Sequence, residues 1–151
     1  MKKKLLACLS AALLAVVVMG LSACGATGSA ASKLSFGSVS SAGKTLTVEL
    51  ESNGSTGYEW TSAVEGEGIE LAGQTVKEGS DSGDTVGAGG TTTFTYEGIG
   101  AGVSTITLTY QRPWETTDSD REVSVTVVTD AAGAVTGYNA TDSNGTQAIL
   151  E

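Results

Sequence analysis

Apolar and polar residues alternate with a period of two in four stretches of this chain. In KTLTVELE the apolar set is Leu46, Val48 and Leu50, and in TTTFTYE it is Phe94 and Tyr96. In STITLTY it is Ile106, Leu108 and Tyr110, and in REVSVTV it is Val123, Val125 and Val127. Thr, Ser and Glu fill most of the positions between. Successive side chains of a strand point to opposite faces, so this pattern predicts strands with one face on a core and the other in water. Two weaker strands fit between them, YEWTSAV (Tyr58 to Val64) and GIELAGQTV (Gly68 to Val76), and a first strand lies in KLSFGSVS. No stretch sustains a helical period. The prediction is an all-β domain over 34–129: an immunoglobulin-like antiparallel β-sandwich of seven to eight strands.

Successive strands of such a sandwich run up and down, so alternate connections emerge at the same end. One end receives EGEG (Glu65 to Gly68) and GIGAG (Gly98 to Gly102), which are short and featureless. The other receives SNGSTG (Ser52 to Gly57), the long EGSDSGDTVGAGG (Glu78 to Gly90) and QRPWETTDSD (Gln111 to Asp120). The chain's single Pro, one of its two Trp and its densest small-residue runs therefore gather at one pole. Variable loops on a rigid scaffold are a common way to build a binding surface.

The N-terminus changes the picture of where the domain resides. MKKKLLACLSAALLAVVVMGLSAC has three Lys, an apolar run and small residues, the layout of a secretory signal over 1–23 rather than of a spanning helix. LSAC, Leu21 to Cys24, resembles the bacterial lipoprotein box, which implies lipidation of Cys24 and an extracytoplasmic, membrane-anchored protein. Residues 24–33 read as a flexible tether, with Gly25 to Ser32 small and polar. Cys8 falls in the signal and Cys24 carries lipid, so no thiol is left for a disulfide, a metal or a nucleophile.

Beyond the signal, five basic residues stand against seventeen acidic ones, a net charge of −12. Nucleic-acid binding is disfavoured, because phosphate contacts need clustered Lys and Arg. The chain has no His, which removes Ser-His-Asp triads, Cys-His dyads and His-ligated zinc. Paired carboxylates can serve a glycosidase, but no two acidic residues stand out from the scattered surface charge. No enzyme activity, cofactor or metal is expected, and the protein is expected to be a monomer.

Three motifs carry a family resemblance: NGSTGYEW, GAGGTTTFTY and YQRPWE, in that order, spanning roughly Lys44 to Val128. Together they resemble the signature loops of the chagasin-like inhibitors of papain-type cysteine proteases. Each falls on a loop that strand parity sends to the same pole. The resemblance implies a reversible, non-covalent inhibitor. Asn53, Gly54, Ser55, Thr56, Gly57 and Tyr58 would enter the active-site cleft, with Thr56 near the catalytic groups. Gly87, Ala88, Gly89 and Gly90 would lie along the substrate groove, and Arg112, Pro113 and Trp114 would close the other side.

The residue chemistry fits these roles. Consecutive Gly residues let backbone amides and carbonyls approach a groove without a Cβ clash. Trp and Arg are enriched among interface hot spots. Other readings stand beside these. Trp60 reads as the core tryptophan of the sandwich and Tyr58 as structural. Arg112 either contacts a partner or pairs with Glu115 to hold its own loop. Gly54 replaces the usual Pro of the family motif and Ser55 a frequent Thr, which leaves the free loop more mobile. An immunoglobulin-like adhesion or carbohydrate-binding lipoprotein is the alternative, although aromatics make up only 5% of the chain. The tail, 130–151, lies outside the resemblance; it forms either a short hairpin or a mobile end.

Overall fold

A computed structural model describes residues 31–79 and 89–150. The signal, Cys24, the tether before residue 31, and the centre of the 78–90 loop with Gly87 and Ala88 lie outside the described residues. In chain order the strands are β1 (Ser32–Leu34), β2 (Gly37–Ala42), β3 (Thr45–Ser52), β4 (Glu59–Gly66) and β5 (Ile69–Lys77). They continue with β6 (Gly90–Gly98), β7 (Gly102–Gln111), β8 (Arg121–Thr129), β9 (Val135–Asp142) and β10 (Gln147–Leu150). Two five-stranded sheets result, ordered β1-β2-β3-β6-β5 and β10-β9-β8-β7-β4. Every neighbouring pair is antiparallel. One 3-10 turn, Gly54–Thr56, is the sole helical element among the described residues.

The alternation read in the sequence points inward as expected. Leu46, Val48, Leu50, Phe94, Tyr96, Ile106, Leu108, Val123 and Val125 are all fully buried between the sheets. Each such side chain contributes about 1.5–3 kcal/mol of burial free energy. Trp60 joins this core, and its indole Nε1 donates to the Glu51 carbonyl at 2.9 Å.

Among the described residues ten strands stand where seven to eight were expected, for two physical reasons. KLSFGSVS does not run through as one strand; the chain turns at Ser35–Phe36 and splits it into β1 and β2. Gly37, just past the turn, packs so closely on β3 that a Cβ would fall on the Glu49 carbonyl oxygen. The tail is a hairpin, β9–β10, added to the edge of β8. Its inward residues Tyr138, Ala140 and Ala148 are part of the core, so the sandwich continues past residue 129.

Asp142 joins the two ends of the domain. Its carboxylate accepts from Ser35 N at 2.7 Å in the β1–β2 turn, and from Asn144 N and Thr146 N at 3.0 and 2.9 Å in its own turn. Burial would push the carboxyl pKa up, but these N–H donors outweigh it and hold the group below its ordinary value. On the opposite side β5 is nearly all exposed, with Val76 56% accessible, and a bulge interrupts its ladder between Leu71 and Gly73. Bulges of this kind blunt an edge strand against pairing with other chains.

Candidate functional site: a loop pole with two braced loops

Register fixes which connections share an end. Ser52 faces Gly90 and Lys77 faces Thr91 in one sheet, while Glu59 faces Gln111 and Tyr110 faces Arg121 in the other. The connections after β3, β5 and β7 therefore leave the sandwich at one pole, as strand parity predicts. Side-chain contacts then tie the first and third of them together.

The first loop is a narrow turn. Asn53 caps it: its Oδ1 accepts from Ser55 N at 3.2 Å and Ser55 Oγ at 2.6 Å. Short polar side chains at this position satisfy amides that a helical start leaves unpaired. Thr56 N and Thr56 Oγ1 both donate to the Asn53 carbonyl, at 3.2 and 2.7 Å. Gly57 closes the turn in the left-handed region, φ +75°, and its N–H returns to the Gly54 carbonyl at 3.3 Å. Gly54, Ser55 and Thr56 are all exposed. The Thr56 hydroxyl spends its proton inside the turn, so toward a ligand it is an acceptor.

Tyr110, the last inward residue of β7, supports the base of this turn. Its hydroxyl accepts from Asn53 N at 2.9 Å, and its ring lies 5.1 Å from that of Tyr58 and 5.0 Å from that of Trp60. The aromatics that follow the small residues thus form a stacked plinth, of which Tyr58 is the outermost ring. The Tyr58 hydroxyl also pairs with Thr117 Oγ1 at 2.6 Å.

The third loop leans on the first. Arg112 donates from Nε to the Thr56 carbonyl at 3.1 Å, lies 4.8 Å over the Tyr58 ring and forms an ion pair with Glu115. The hydrogen bond to Glu115 pushes the Arg112 pKa above its ordinary value. Arg112 thus pairs with Glu115 and holds its own loop to the first. Pro113 and Trp114 are exposed, the indole 70% accessible. Farther along, Thr117 N and Oγ1 donate to the Asp120 carboxylate, both at 3.1 Å, which folds the loop back toward β8.

Of the middle loop, Gly89 and Gly90 are described. Gly89 is exposed beside the first loop, where a Cβ would lie 3.8 Å from the Ser52 carbonyl oxygen. Gly90 begins β6, and a Cβ there would meet the Lys77 carbonyl oxygen at 2.5 Å. Close strand packing requires a glycine at this position.

Three features of the pole escape a reading of the motifs. Tyr110 is its hub, yet in sequence it is one more inward aromatic of β7. Arg121 stacks on Phe36 and Tyr110, at 4.7 and 5.7 Å, and lines a hollow with Asn53, Gly89 and Gly90. Glu78 reaches toward Gly54, with Oε1 3.3 Å from where a Cβ would stand. A charge on the neighbouring element was visible for each of the latter two, but the pairing was not. No group of three or more His, Cys, Asp or Glu among the described residues is placed to hold a metal ion.

The described residues thus form an antiparallel β-sandwich with two braced loops at one pole. A family model described as the chagasin family of peptidase inhibitors, I42, matches residues 40–127, so the chain belongs to that family. It is also similar to a solved structure, the cysteine protease inhibitor EhICP2 from Entamoeba histolytica. The two are 29% identical, with 54% of this chain and 75% of that chain covered and a TM-score of 0.45. A comparison with curated proteins gave no match.

Proposed function

We propose that this protein is a reversible, non-covalent inhibitor of papain-like cysteine proteases that plugs the active-site cleft with the loops of one pole. The observation that carries the reading is the brace between the first and third loops, which leaves a narrow turn and an exposed indole side by side. The Asn53–Tyr58 turn enters the cleft with Thr56 foremost, and Trp114 docks on one wall. Gly87 to Gly90 run along the groove with main-chain hydrogen bonds. A standard-sized interface of about 800 Å² per partner is expected. Titration of the mature chain against papain and a cathepsin tests the reading: stoichiometric loss of activity that reappears on dilution supports it. Full activity at micromolar excess refutes it.

The protein acts outside the cytoplasm, held to a bacterial membrane by lipid on Cys24, as a monomer. Two acyl signals are needed for firm anchoring. Intact mass of the mature protein from its producing cell tests this. An N-terminal Cys24 bearing acyl chains is expected, and an unmodified N-terminus or cleavage elsewhere refutes it.

A further inference from the structure

We infer that Arg112 keeps the first loop from being cut, so that a protease meeting this pole is blocked by the loop and does not digest it. The inference rests on the proposed cysteine-protease reading and deepens it by assigning a positioning residue. A peptide bond is hydrolysed once the segment around it lies extended in the groove and its carbonyl oxygen enters the oxyanion site. The thiolate then adds to the carbonyl carbon, the C–N bond breaks as the amine takes a proton, and water releases the acyl group as a carboxylate.

Residues 54–57 are held out of the extended form, and three carbonyls of the 53–57 turn are held from the oxyanion site. Gly54–Thr56 is a 3-10 turn and Gly57 is left-handed, so the segment is not extended. The carbonyls of Asn53, Gly54 and Thr56 are all engaged: by Thr56 N and Oγ1, by Gly57 N, and by Arg112 Nε. The first two sets of bonds are internal to the turn and vanish together if it unwinds. Two side chains fix it to the sandwich. Tyr110 holds the entry through Asn53 N, and Arg112 holds the exit through the Thr56 carbonyl.

Arg112 is suited to this because its own position is fixed. Glu115 grips one end of the guanidinium and the Tyr58 ring lies beneath it at 4.8 Å. The planar fork makes these contacts without surrendering Nε, which an ammonium group would not do. Without Arg112, the exit of the turn loses its side-chain tie. The Thr56 carbonyl is then free to rotate and the backbone to extend into the groove.

The test incubates the parent chain and Arg112→Ala with papain, each in molar excess, while protease activity and the inhibitor's intact mass are followed with time. Each is added at the excess that gives full inhibition at the outset, so that affinity and cutting are read separately. In the variant sample activity then returns, with one nick between Asn53 and Tyr58, while the parent stays whole at least about tenfold longer, the scale set by one charged hydrogen bond. Thermal melting separates this from general loosening, which would scatter cuts along the chain. Should Arg112→Ala fail to fold, Glu115→Ala leaves the guanidinium in place without its carboxylate grip and is cut at an intermediate rate. A folded Arg112→Ala that survives as long as the parent overturns the inference, as do scattered cuts. A parent that is nicked in the same loop also overturns it. A parent that never inhibits overturns the functional reading first, and this one with it.

Discussion

The edge of the Trp114 indole lies directly over Gly57: a Cβ placed on that glycine would stand 3.0 Å from Trp114 Cη2. Gly57 also has φ +75°, which an L side chain adopts at a cost of about 1–2 kcal/mol. Both objections fall on one small methyl group. Gly57→Ala should therefore lower stability by roughly that amount and also displace the indole and the turn. Thermal denaturation and papain titration, run side by side, should show inhibition weakened by more than the loss of folded protein explains.

Truncating the indole itself should leave the fold alone. Trp114 is exposed and outside the core cluster, so Trp114→Ala should melt within a degree or two of the parent. Its removal should weaken inhibition by about 2 kcal/mol or more, some thirtyfold, as for a central aromatic anchor. Equal potency in a competition assay would show that the indole does not contact the enzyme.

Asp142 ties the β1–β2 turn to the β9–β10 turn through both carboxylate oxygens. Asp142→Asn turns an NH2 toward at least one of those N–H donors. The expected cost is about 1–3 kcal/mol for buried groups left unpaired. The carboxyl pKa is lowered in the folded state, so its contribution is present above the ordinary value of 3.8 and fades as pH falls through the lower folded value. Urea titrations at pH 7 and in acid should show the parent losing this increment and the variant lacking it throughout.

Alkali acts on the other side of the core. Tyr96 is fully buried, and burial pushes its pKa up to about 12, against a smaller opposing effect of the Ser62 hydroxyl 2.7 Å away. The unfolded chain gives up this proton near 10 and the folded one near 12. The protection is complete below pH 10 and is lost as pH climbs through 12, a span of roughly 2–3 kcal/mol. Tyr96→Phe should flatten that part of the alkaline stability curve, monitored by circular dichroism.

The sequence displayed some of this architecture plainly and hid the rest. Strands β3, β6, β7 and β8 announce themselves because Leu, Val, Ile, Phe and Tyr mark most inward positions, with Thr92, Ser104 and Thr129 as polar exceptions. The β9–β10 hairpin is as well ordered in the sheet, but its inward face is carried partly by Ala140 and Ala148, whose small side chains give a weak alternation. Strand β5 misleads in the opposite sense: Leu71 and Val76 suggest a buried face, and both are exposed at the sheet edge. At the pole, parity and motif order placed the first and third loops correctly. They did not choose between the two readings of Arg112, because a guanidinium's partner depends on a carbonyl 56 residues away in sequence. Likewise nothing local marks Tyr110 as the support of the turn.

Strand β1 lies antiparallel to β2 and therefore advances in the same direction as β3, toward the loops. Its first residue, Ser32, consequently sits at the end of β1 away from the loops. With an acylated Cys24, seven residues separate the bilayer from Ser32, a leash of about 25 Å at full stretch. Were Cys24 acylated as proposed, the loop pole would point away from the bilayer and toward the surroundings.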